Sequence, residues 1–302
     1  MNVYIVADIE GIAGMVFYEH RHRDMTPLSY ELLHRNRVLL TEEVNAAARG
    51  AFDAGAESVV VHDHHGQGYT ILPELMDKRL ELIHGRPEQY LTLGVHHPDL
   101  NESIDALILI GMHAKAGTTD GCTPHSLICV TDGEGKRHEL SEATMSMAYA
   151  GTYGVPCVFI AGDRATVDDA LGLVPSLERV ETKSHYASQV ARTKSPTLVR
   201  ELIEAGVRRG VERRSEIQPF VIPGPCTIQI ADRNPAARWP ESPNTRKDFA
   251  TALCDTLQNV PWYKPVEAID DGWRYPDRIT PSEMPNDRWN TPADEADRSD
   301  PN

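Results

Sequence analysis

Two carboxylates follow the first apolar segment of the chain. Asp8 and Glu10 come directly after the run 3–7 and are followed by Gly11. A short apolar run of this kind is typical of a buried strand in a parallel sheet. Ligands of open α/β sheets gather beyond the carboxyl ends of the strands, and side-chain alternation places both carboxylates on the same side. Because two such groups repel each other, we expect a cation between them, most simply a metal ion. The alternative is a loop acid beside a helix-capping acid.

Histidines follow two further predicted strands. His65 comes shortly after the segment 58–62, and His113 comes after the fully apolar segment 106–110. Glu142 begins a predicted helix. The carboxyl ends of parallel strands meet at one edge of a sheet, and carboxylate and neutral imidazole are the ligands that zinc takes where thiolates are absent. The candidate ligands are Asp8, Glu10, His65, His113 and Glu142. Five ligands are more than one tetrahedral metal site needs, and they suit two metal ions that share a carboxylate.

Each of these residues also has a structural explanation when it is taken alone. A histidine after a strand is often only hydrogen-bonded, and Glu142 is favoured at a helix N-terminus by the helix dipole. Glu139 is the one rival to Glu142, and the helix that Glu142 begins favours Glu142. The remaining histidines of these segments are expected to be structural or solvent-exposed, and they are His62, His64, His96, His97 and His138.

The composition narrows the classes of function. The 302 residues carry a net charge of -15, which argues against nucleic acid as a partner because phosphate binding needs a basic surface. The five cysteines form no C-x-x-C pair, as in a reduced cytoplasmic protein. We find neither a leader peptide nor an apolar run near the ~18 residues that a membrane span needs, so we expect a cytoplasmic location and no membrane partner.

The hydrophobic pattern predicts an α/β fold, a mostly parallel sheet with flanking helices and the site at the C-terminal strand ends. Helices are predicted over 41–55, 142–153, 167–173, 195–214 and 249–257. Strands not yet mentioned are predicted over 80–83, 156–161, 179–182, 221–222 and 227–230, with a hairpin over 126–140. We divide the chain into a metal-binding catalytic domain over 1–194, a smaller C-terminal α+β lobe over 195–275, and a flexible tail rich in proline and acids over 276–302.

The order and spacing of these segments resemble those of the D-aminopeptidases encoded with bacterial dipeptide-transport systems, a family of zinc metallopeptidases. The D-x-E-G part of the opening S-x-D-x-E-G signature of that family is similar to the segment 8–11 here, and the serine before it is absent. Its V-x-D-x-H-G segment resembles 61–66, and that alignment selects His65 over His64 as the ligand.

Two more segments carry the resemblance, which covers roughly residues 1–185. The segment 110–114 is similar to I-G-Y-H-A, with Met112 in place of tyrosine. The segment 141–156 resembles G-E-x-x-x-N-A-x-x-A-G-x-x-G-V-P, with Ser141 and Ser146 in place of glycine and asparagine. None of these departures is at a ligand position, so they bear on substrate choice and not on the metal centre.

The resemblance implies two zinc ions per subunit. One ion lies on Asp8, Glu10 and His65. The second lies on Asp8, His113 and Glu142, so that Asp8 bridges the two.

The resemblance also implies a catalytic histidine about a dozen residues after His113, a position that His125 fits. Water activated by the metal would be the nucleophile, and His125 would move a proton or stabilise the developing oxyanion. The implied substrate is a small peptide or an amino-acid amide whose free amino terminus binds beside the acidic cluster. The implied assembly is a homo-oligomer, a decamer of two pentamers.

Three other interpretations remain open at this point. One is a different metal-dependent amidohydrolase. Another is an enzyme like the aspartyl-nucleophile phosphatases, whose D-x-D-G strand end is similar to the segment 8–11, although Glu10 and Ile12 depart from that pattern. The third is a metal-binding protein without catalytic activity.

Overall fold

The fold is built on a seven-stranded sheet in the computed structural model, which describes residues 1–16, 27–66, 68–85, 94–187, 190–231 and 245–258. The strands of the described residues are β1 (Asn2–Ala7), β2 (Ser58–Asp63), β3 (Leu80–Ile83), β4 (Ala106–Met112), β5 (Leu127–Thr131), β6 (Arg137–Leu140), β7 (Cys157–Asp163), β8 (Glu178–Ala187), β9 (Val190–Thr193) and β10 (Thr227–Ala231). The large sheet has the order β3-β2-β1-β4-β7-β8-β9, and its neighbours are parallel except for the antiparallel pair β8 and β9. The second sheet is antiparallel, with the order β10-β5-β6.

Five helices accompany these sheets in the described part of the chain. They are α1 (Pro27–Asp53), α2 (Glu142–Thr152), α3 (Arg164–Leu173), α4 (Pro196–Glu212) and α5 (Phe249–Gln258). Helix α1 packs mainly on α4, whereas α2 packs on α3 and α5. Among the described residues, no helix has the length and apolarity that crossing a membrane requires.

The central strands are buried because they are apolar along their whole length. Every residue of β4 and β7 is buried, as are Val3–Ala7 of β1. A parallel strand covered by helices on both faces needs this continuous apolar sequence. Strand β1 lies between β2 and β4 in the sheet, so the carboxyl ends of these three parallel strands lie side by side at one edge.

Most predicted elements are confirmed, with four differences. Helix α1 begins at Pro27, 14 residues before the predicted start at 41. Strand β9 lies after a break in the apolar pattern and was not predicted, and β8 is longer than the predicted 179–182. The strand predicted over 221–222 is wrong, since those residues form no strand. Pro219 and Pro223 flank that segment, and proline cannot donate the hydrogen bonds of a strand ladder.

The predicted division into domains stays a prediction. Helix α4 begins the predicted C-terminal lobe but packs on α1 and on β7 and β8, and β10 pairs with β5 of the predicted catalytic domain. The predicted tail over 276–302 lies outside the described residues.

Two glycines allow the ends of β1 and β4 to approach each other. The Gly11 amide donates to the Gly111 carbonyl at 2.7 Å, and the Asp8 amide donates to the Ile110 carbonyl at 2.8 Å. Gly111 has a φ of +72°, and a Cβ there would overlap the carbonyl oxygen of Asp8. A side chain at Gly111 would therefore both strain the backbone and push the two strand ends apart.

We expect Gly111→Ala to lower the free energy of unfolding by about 2 kcal/mol or more, through backbone strain and the overlap with Asp8. Gly172→Ala is the matched control, because Gly172 lies in α3 with open space around its Cα. That control should be neutral or stabilising by up to ~1 kcal/mol. Denaturant titration of both variants measures their free energies of unfolding. Equal values for Gly111→Ala and Gly172→Ala would contradict this role of Gly111.

A buried carboxyl group of α1 closes the loop after β1. Glu43 is 1% exposed, and its Oε1 accepts a hydrogen bond from the Ala13 amide at 2.9 Å. Burial raises the pKa of Glu43 to about 7, against the lowering effect of that hydrogen bond and of the Lys183 charge. The folded state therefore retains a proton that the unfolded chain releases above about pH 4.5.

The stability contributed by protonated Glu43 is complete below pH 4.5 and is lost as the pH rises through 7. A shift of this size corresponds to about 3 kcal/mol. We expect Glu43→Gln, which keeps an acceptor for Ala13 but cannot ionise, to gain stability relative to the parent chain as the pH rises from 4.5 to 7. Parallel stability curves for the two proteins over this range would contradict the assignment.

Candidate metal centre

The two predicted acids lie at the buried end of β1. Asp8 and Glu10 are each 1% exposed, and the backbone contacts with β4 described above fix their position. On the other side of β1, the His64 amide donates to the Ala7 carbonyl at 2.9 Å, which continues the pairing of β1 with β2 past the strand end. The residues after β2 and β4 are therefore brought directly to Asp8.

Two histidines face the carboxylates from these neighbouring strands. Nδ1 of His65 lies 2.9 Å from Oδ1 of Asp8 and 3.7 Å from Oε2 of Glu10. Nε2 of His113 lies 3.6 Å from Oδ2 of Asp8 and 3.4 Å from Oε2 of Glu10. Nδ1 of His113 lies 2.8 Å from the Ala114 carbonyl and can donate to it, which leaves Nε2 as the ring nitrogen that faces the acids.

Glu142 and His125 complete the group from the side that solvent reaches. Ser141 caps α2 by accepting a hydrogen bond from the Thr144 amide, and this places Glu142 in the first turn of the helix. Oε1 of Glu142 lies 3.5 Å from Nε2 of His113 and 3.8 Å from Nε2 of His125. The side chains of Glu142 and His125 are 20% and 14% exposed. They therefore form the entrance to the site.

The orientation of His125 is set by its own loop. Nδ1 donates to the Thr123 carbonyl at 2.8 Å, and the ring stacks on that of His113 with centroids 4.1 Å apart and an interplanar angle of 8°. Thr123 and Ser126, on either side of His125, have positive φ values of 34° and 56°. Non-glycine residues with positive φ concentrate at functional sites, where the surrounding structure holds them.

Acids and imidazoles change each other's pKa in this site. Burial raises the pKa of Glu10, but the charges of His125 and His113 outweigh burial and hold this pKa well below its usual range. Burial lowers the pKa of His65, but the hydrogen bonds and charges of Asp8 and Glu10 outweigh it and raise the pKa to about 9. Glu10 therefore stays ionised, and this favours positive charge beside it.

The residues present fit divalent metal ions. Among the described residues, three groups of three side chains at this site have ligand atoms within 4.8 Å of one another: Asp8, Glu10 and His65; Asp8, His113 and Glu142; and Glu10, His113 and His125. Oδ2 of Asp8 and Nε2 of His113 are buried without a hydrogen-bond partner among the described residues. Carboxylate and imidazole are the donors that zinc accepts, and a cation would satisfy both of these atoms.

A buried lysine that the sequence analysis missed holds the loop that carries Glu10. Lys183 of β8 donates from Nζ to the carbonyls of Glu10 at 2.5 Å and Ile12 at 3.0 Å, and also to that of Met15. The thiol of Cys122 donates to the same Glu10 carbonyl at 2.9 Å, and burial raises the pKa of this thiol, so it is the neutral donor. The sequence around Lys183 does not signal this role. Lys183 and its neighbour Thr182 are both buried in β8.

The competing residues occupy other positions. Glu139 is exposed on β6, so the contact geometry favours Glu142. His138 lies 2.7 Å from Asp132 on the hairpin of β5 and β6, away from the acids of β1. The other four histidines are clustered behind Glu142 and contact one another: His62, His64, His96 and His97.

The comparisons with known proteins agree with this geometry. Residues 1–245 match the profile of the D-aminopeptidase family. The chain is 25% identical over 240 residues to a D-aminopeptidase of Bacillus subtilis (strain 168), which covers 78% of this chain and 82% of that protein. It also superimposes on the zinc-dependent D-aminopeptidase DppA of Bacillus subtilis, described as a self-compartmentalizing protease, with a TM-score of 0.72 at 22% identity over 85% of this chain and 96% of that one. The match over most of its length establishes that this chain belongs to the D-aminopeptidase family.

Proposed function

We propose that this member of the D-aminopeptidase family is a zinc-dependent aminopeptidase that releases N-terminal D-amino acids from short peptides or amides. Two zinc ions per subunit would be held by the five side chains at the strand ends. One set is Asp8, Glu10 and His65. The other is Asp8, His113 and Glu142.

The observation that carries this proposal is the divergence of the two Asp8 oxygens. Oδ1 lies 2.9 Å from a nitrogen of His65, and Oδ2 lies 3.6 Å from a nitrogen of His113. With a histidine beside each of its oxygens, Asp8 could hold two ions at once, one with each ligand set. In two-metal hydrolases the ions lie ~3.5–4 Å apart.

Zinc, when bound, supplies the Lewis acidity that activates water near neutral pH and polarises the scissile carbonyl. The chain supplies the proton transfer. His125 keeps its Nδ1 proton on the Thr123 carbonyl, so its Nε2 is the atom that faces Glu142 and the entrance. From there His125 accepts a proton from the attacking water, and in its protonated form it donates a hydrogen bond to the oxyanion.

The acidic entrance also suits the free amino terminus of a substrate. Glu142 is the most exposed of the three carboxylates, so a substrate ammonium group meets it first. Attraction to this carboxylate positions the first peptide bond, and not an internal one, at the metal centre. This accounts for release of single N-terminal residues.

The other interpretations of the sequence are less well supported. A phosphatase mechanism requires Asp8 as an accessible nucleophile, but Asp8 is 1% exposed and both of its oxygens face imidazoles. A binding protein without activity leaves the orientation of His125 at the entrance unexplained. A different amidohydrolase shares the metal centre and differs only in the substrate.

We also propose that the chain forms a homo-oligomer, a decamer in a cytoplasmic setting. Large apolar side chains are exposed on the two helices that pack together, Leu28 and Tyr30 on α1 and Leu198 and Leu202 on α4. Apolar surface of this kind is typical of contacts between subunits. The five cysteines are all buried and form no disulfide, as expected in a reducing compartment.

We expect Asp8→Ala to lose both zinc ions, because each set then keeps only two ligands. His125→Ala should keep the zinc but lower kcat/KM by about 10²–10⁴-fold, as removal of a general acid–base group does. Metal analysis and hydrolysis of a panel of D- and L-aminoacyl amides measure both effects. A zinc content of the first variant equal to that of the parent chain, or full activity of the second, would overturn the assignment.

His125→Gln separates the two tasks of His125. Glutamine can donate a hydrogen bond to the oxyanion but cannot exchange a proton. If this variant is as inactive as His125→Ala, proton transfer is the main task. Activity close to that of the parent chain would assign His125 to the oxyanion alone.

A decamer of this 33.6 kDa chain would have a mass of about 340 kDa. Light scattering after size exclusion should give this value. We expect the double variant Leu198→Glu, Leu202→Glu to dissociate it, because it places charge in the apolar contact. A monomeric mass for the parent chain would exclude the assembly while leaving the metal centre untouched.

A further inference from the structure

Four histidines form a second imidazole cluster beside the metal centre, which we call the histidine cluster: His62, His64, His96 and His97. The first two lie at the end of β2, and the other two lie in the segment before β4. His62, His96 and His97 are buried, with His97 at 0% exposure. Nothing in the reaction proposed above uses these rings.

The nitrogen atoms of the cluster approach each other in pairs. Nε2 of His64 lies 3.2 Å from Nε2 of His96, and Nδ1 of His62 lies 3.1 Å from Nδ1 of His97. Two imidazole nitrogens on one tetrahedral zinc ion, each at ~2.0–2.1 Å, lie ~3.3 Å apart. The same spacing also fits an imidazole–imidazole hydrogen bond, so the distance alone does not decide.

The hydrogen-bond interpretation leaves the cluster incomplete. Nδ1 of His64 and Nδ1 of His96 are buried without a hydrogen-bond partner among the residues that the structure describes. Burial lowers the pKa values of His62, His96 and His97, which keeps these rings neutral, and neutral imidazole is the form that binds a metal. Two buried nitrogens without hydrogen-bond partners, in a group that includes three neutral rings, suit a metal ion.

Three of the rings have the geometry of a ligand set. His64, His96 and His97 each offer one nitrogen, and these atoms all lie within 4.8 Å of one another. Nδ1 of His64 faces Oε2 of Glu142 at 3.8 Å. This separation is too long for a hydrogen bond, so Glu142 leaves that nitrogen available to a metal ion.

The supporting contacts hold His97 in this group. Its Nε2 lies 3.1 Å from the hydroxyl of Ser146, one of the positions where the chain departs from the family pattern. The hydroxyl of Ser146 in turn donates to the Glu142 carbonyl at 2.9 Å. The histidine cluster and the predicted zinc ligands are therefore joined through α2 at two points, the side chain and the carbonyl of Glu142.

We propose that His64, His96 and His97 bind a third divalent transition-metal ion, separate from the pair on Asp8, with His62 beside them as a fourth imidazole. A donor set of neutral imidazoles suits zinc, copper or nickel and disfavours magnesium and calcium, which prefer oxygen ligands. Zinc is the probe for the test. This site does not depend on the activity proposed above.

The test counts zinc in the full-length protein after equilibration with zinc and removal of the excess. The parent chain should hold about three ions, and His96→Gln should hold one fewer. His138→Ala is the matched control, because it removes a histidine that is bound to Asp132 on the hairpin, and it should hold as many as the parent chain. Equal zinc content in the parent chain and His96→Gln would overturn the proposal.

Asp8→Ala separates this site from the zinc pair. That variant should keep one ion, and adding His96→Gln to it should remove that ion. Asp8→Ala without zinc would overturn the third site and leave the binuclear proposal standing. A parent chain whose only zinc survives Asp8→Ala and disappears with His96→Gln would support the third site and refute the pair.

X-ray absorption at the zinc edge answers the same question without changing the cluster. In Asp8→Ala, zinc should show nitrogen ligands at ~2.0 Å and the outer-shell scattering of several imidazole rings. This measurement applies even where His96→Gln does not fold. Carboxylate ligands with a single imidazole would assign the remaining ion to the residues of β1 and contradict the proposal.

Discussion

Neutralising three carboxylates at one edge of the sheet, two of them buried, is the constraint on which the rest of the structure depends. Asp8, Glu10 and Glu142 lie close enough to share the same imidazole partner, His113, whose Nε2 is 3.4–3.6 Å from an oxygen of each. Like charges this close cannot remain ionised in a low-dielectric site without compensation. The neighbouring imidazoles supply part of this compensation, and the donor set favours divalent cations for the remainder.

The fold meets this constraint by bringing the backbones of distant segments into direct contact. Gly111 lets the end of β4 touch the end of β1, and Lys183 of β8 holds the loop after Asp8 by its carbonyl oxygens. Because Lys183 binds carbonyls, it fixes the loop without occupying the carboxylate oxygens of Glu10. Backbone contacts therefore hold the site together, and strand position sets which side chains face each other.

Much of this could be predicted from the sequence because it depends on strand ends. Continuous apolar runs predicted β1 and β4, and parallel strands end at one edge, so the approach of His113 to Asp8 followed from the pattern alone. Glu142 followed from its place at the start of α2. The role of Lys183 could not be predicted, because burial of a lysine depends on carbonyls that are about 170 residues away in the chain. The same is true of the histidine cluster, where His64 and His96 meet only through the folded sheet.

The most direct measurement of the central claim is anomalous diffraction at the zinc absorption edge, from crystals of the zinc-loaded protein. At the strand ends the account predicts two peaks ~3.5–4 Å apart, one on each side of the Asp8 carboxylate and both separate from any zinc on the histidine cluster. A single peak at Asp8, or zinc bound only at residues other than those of the strand ends, would contradict it.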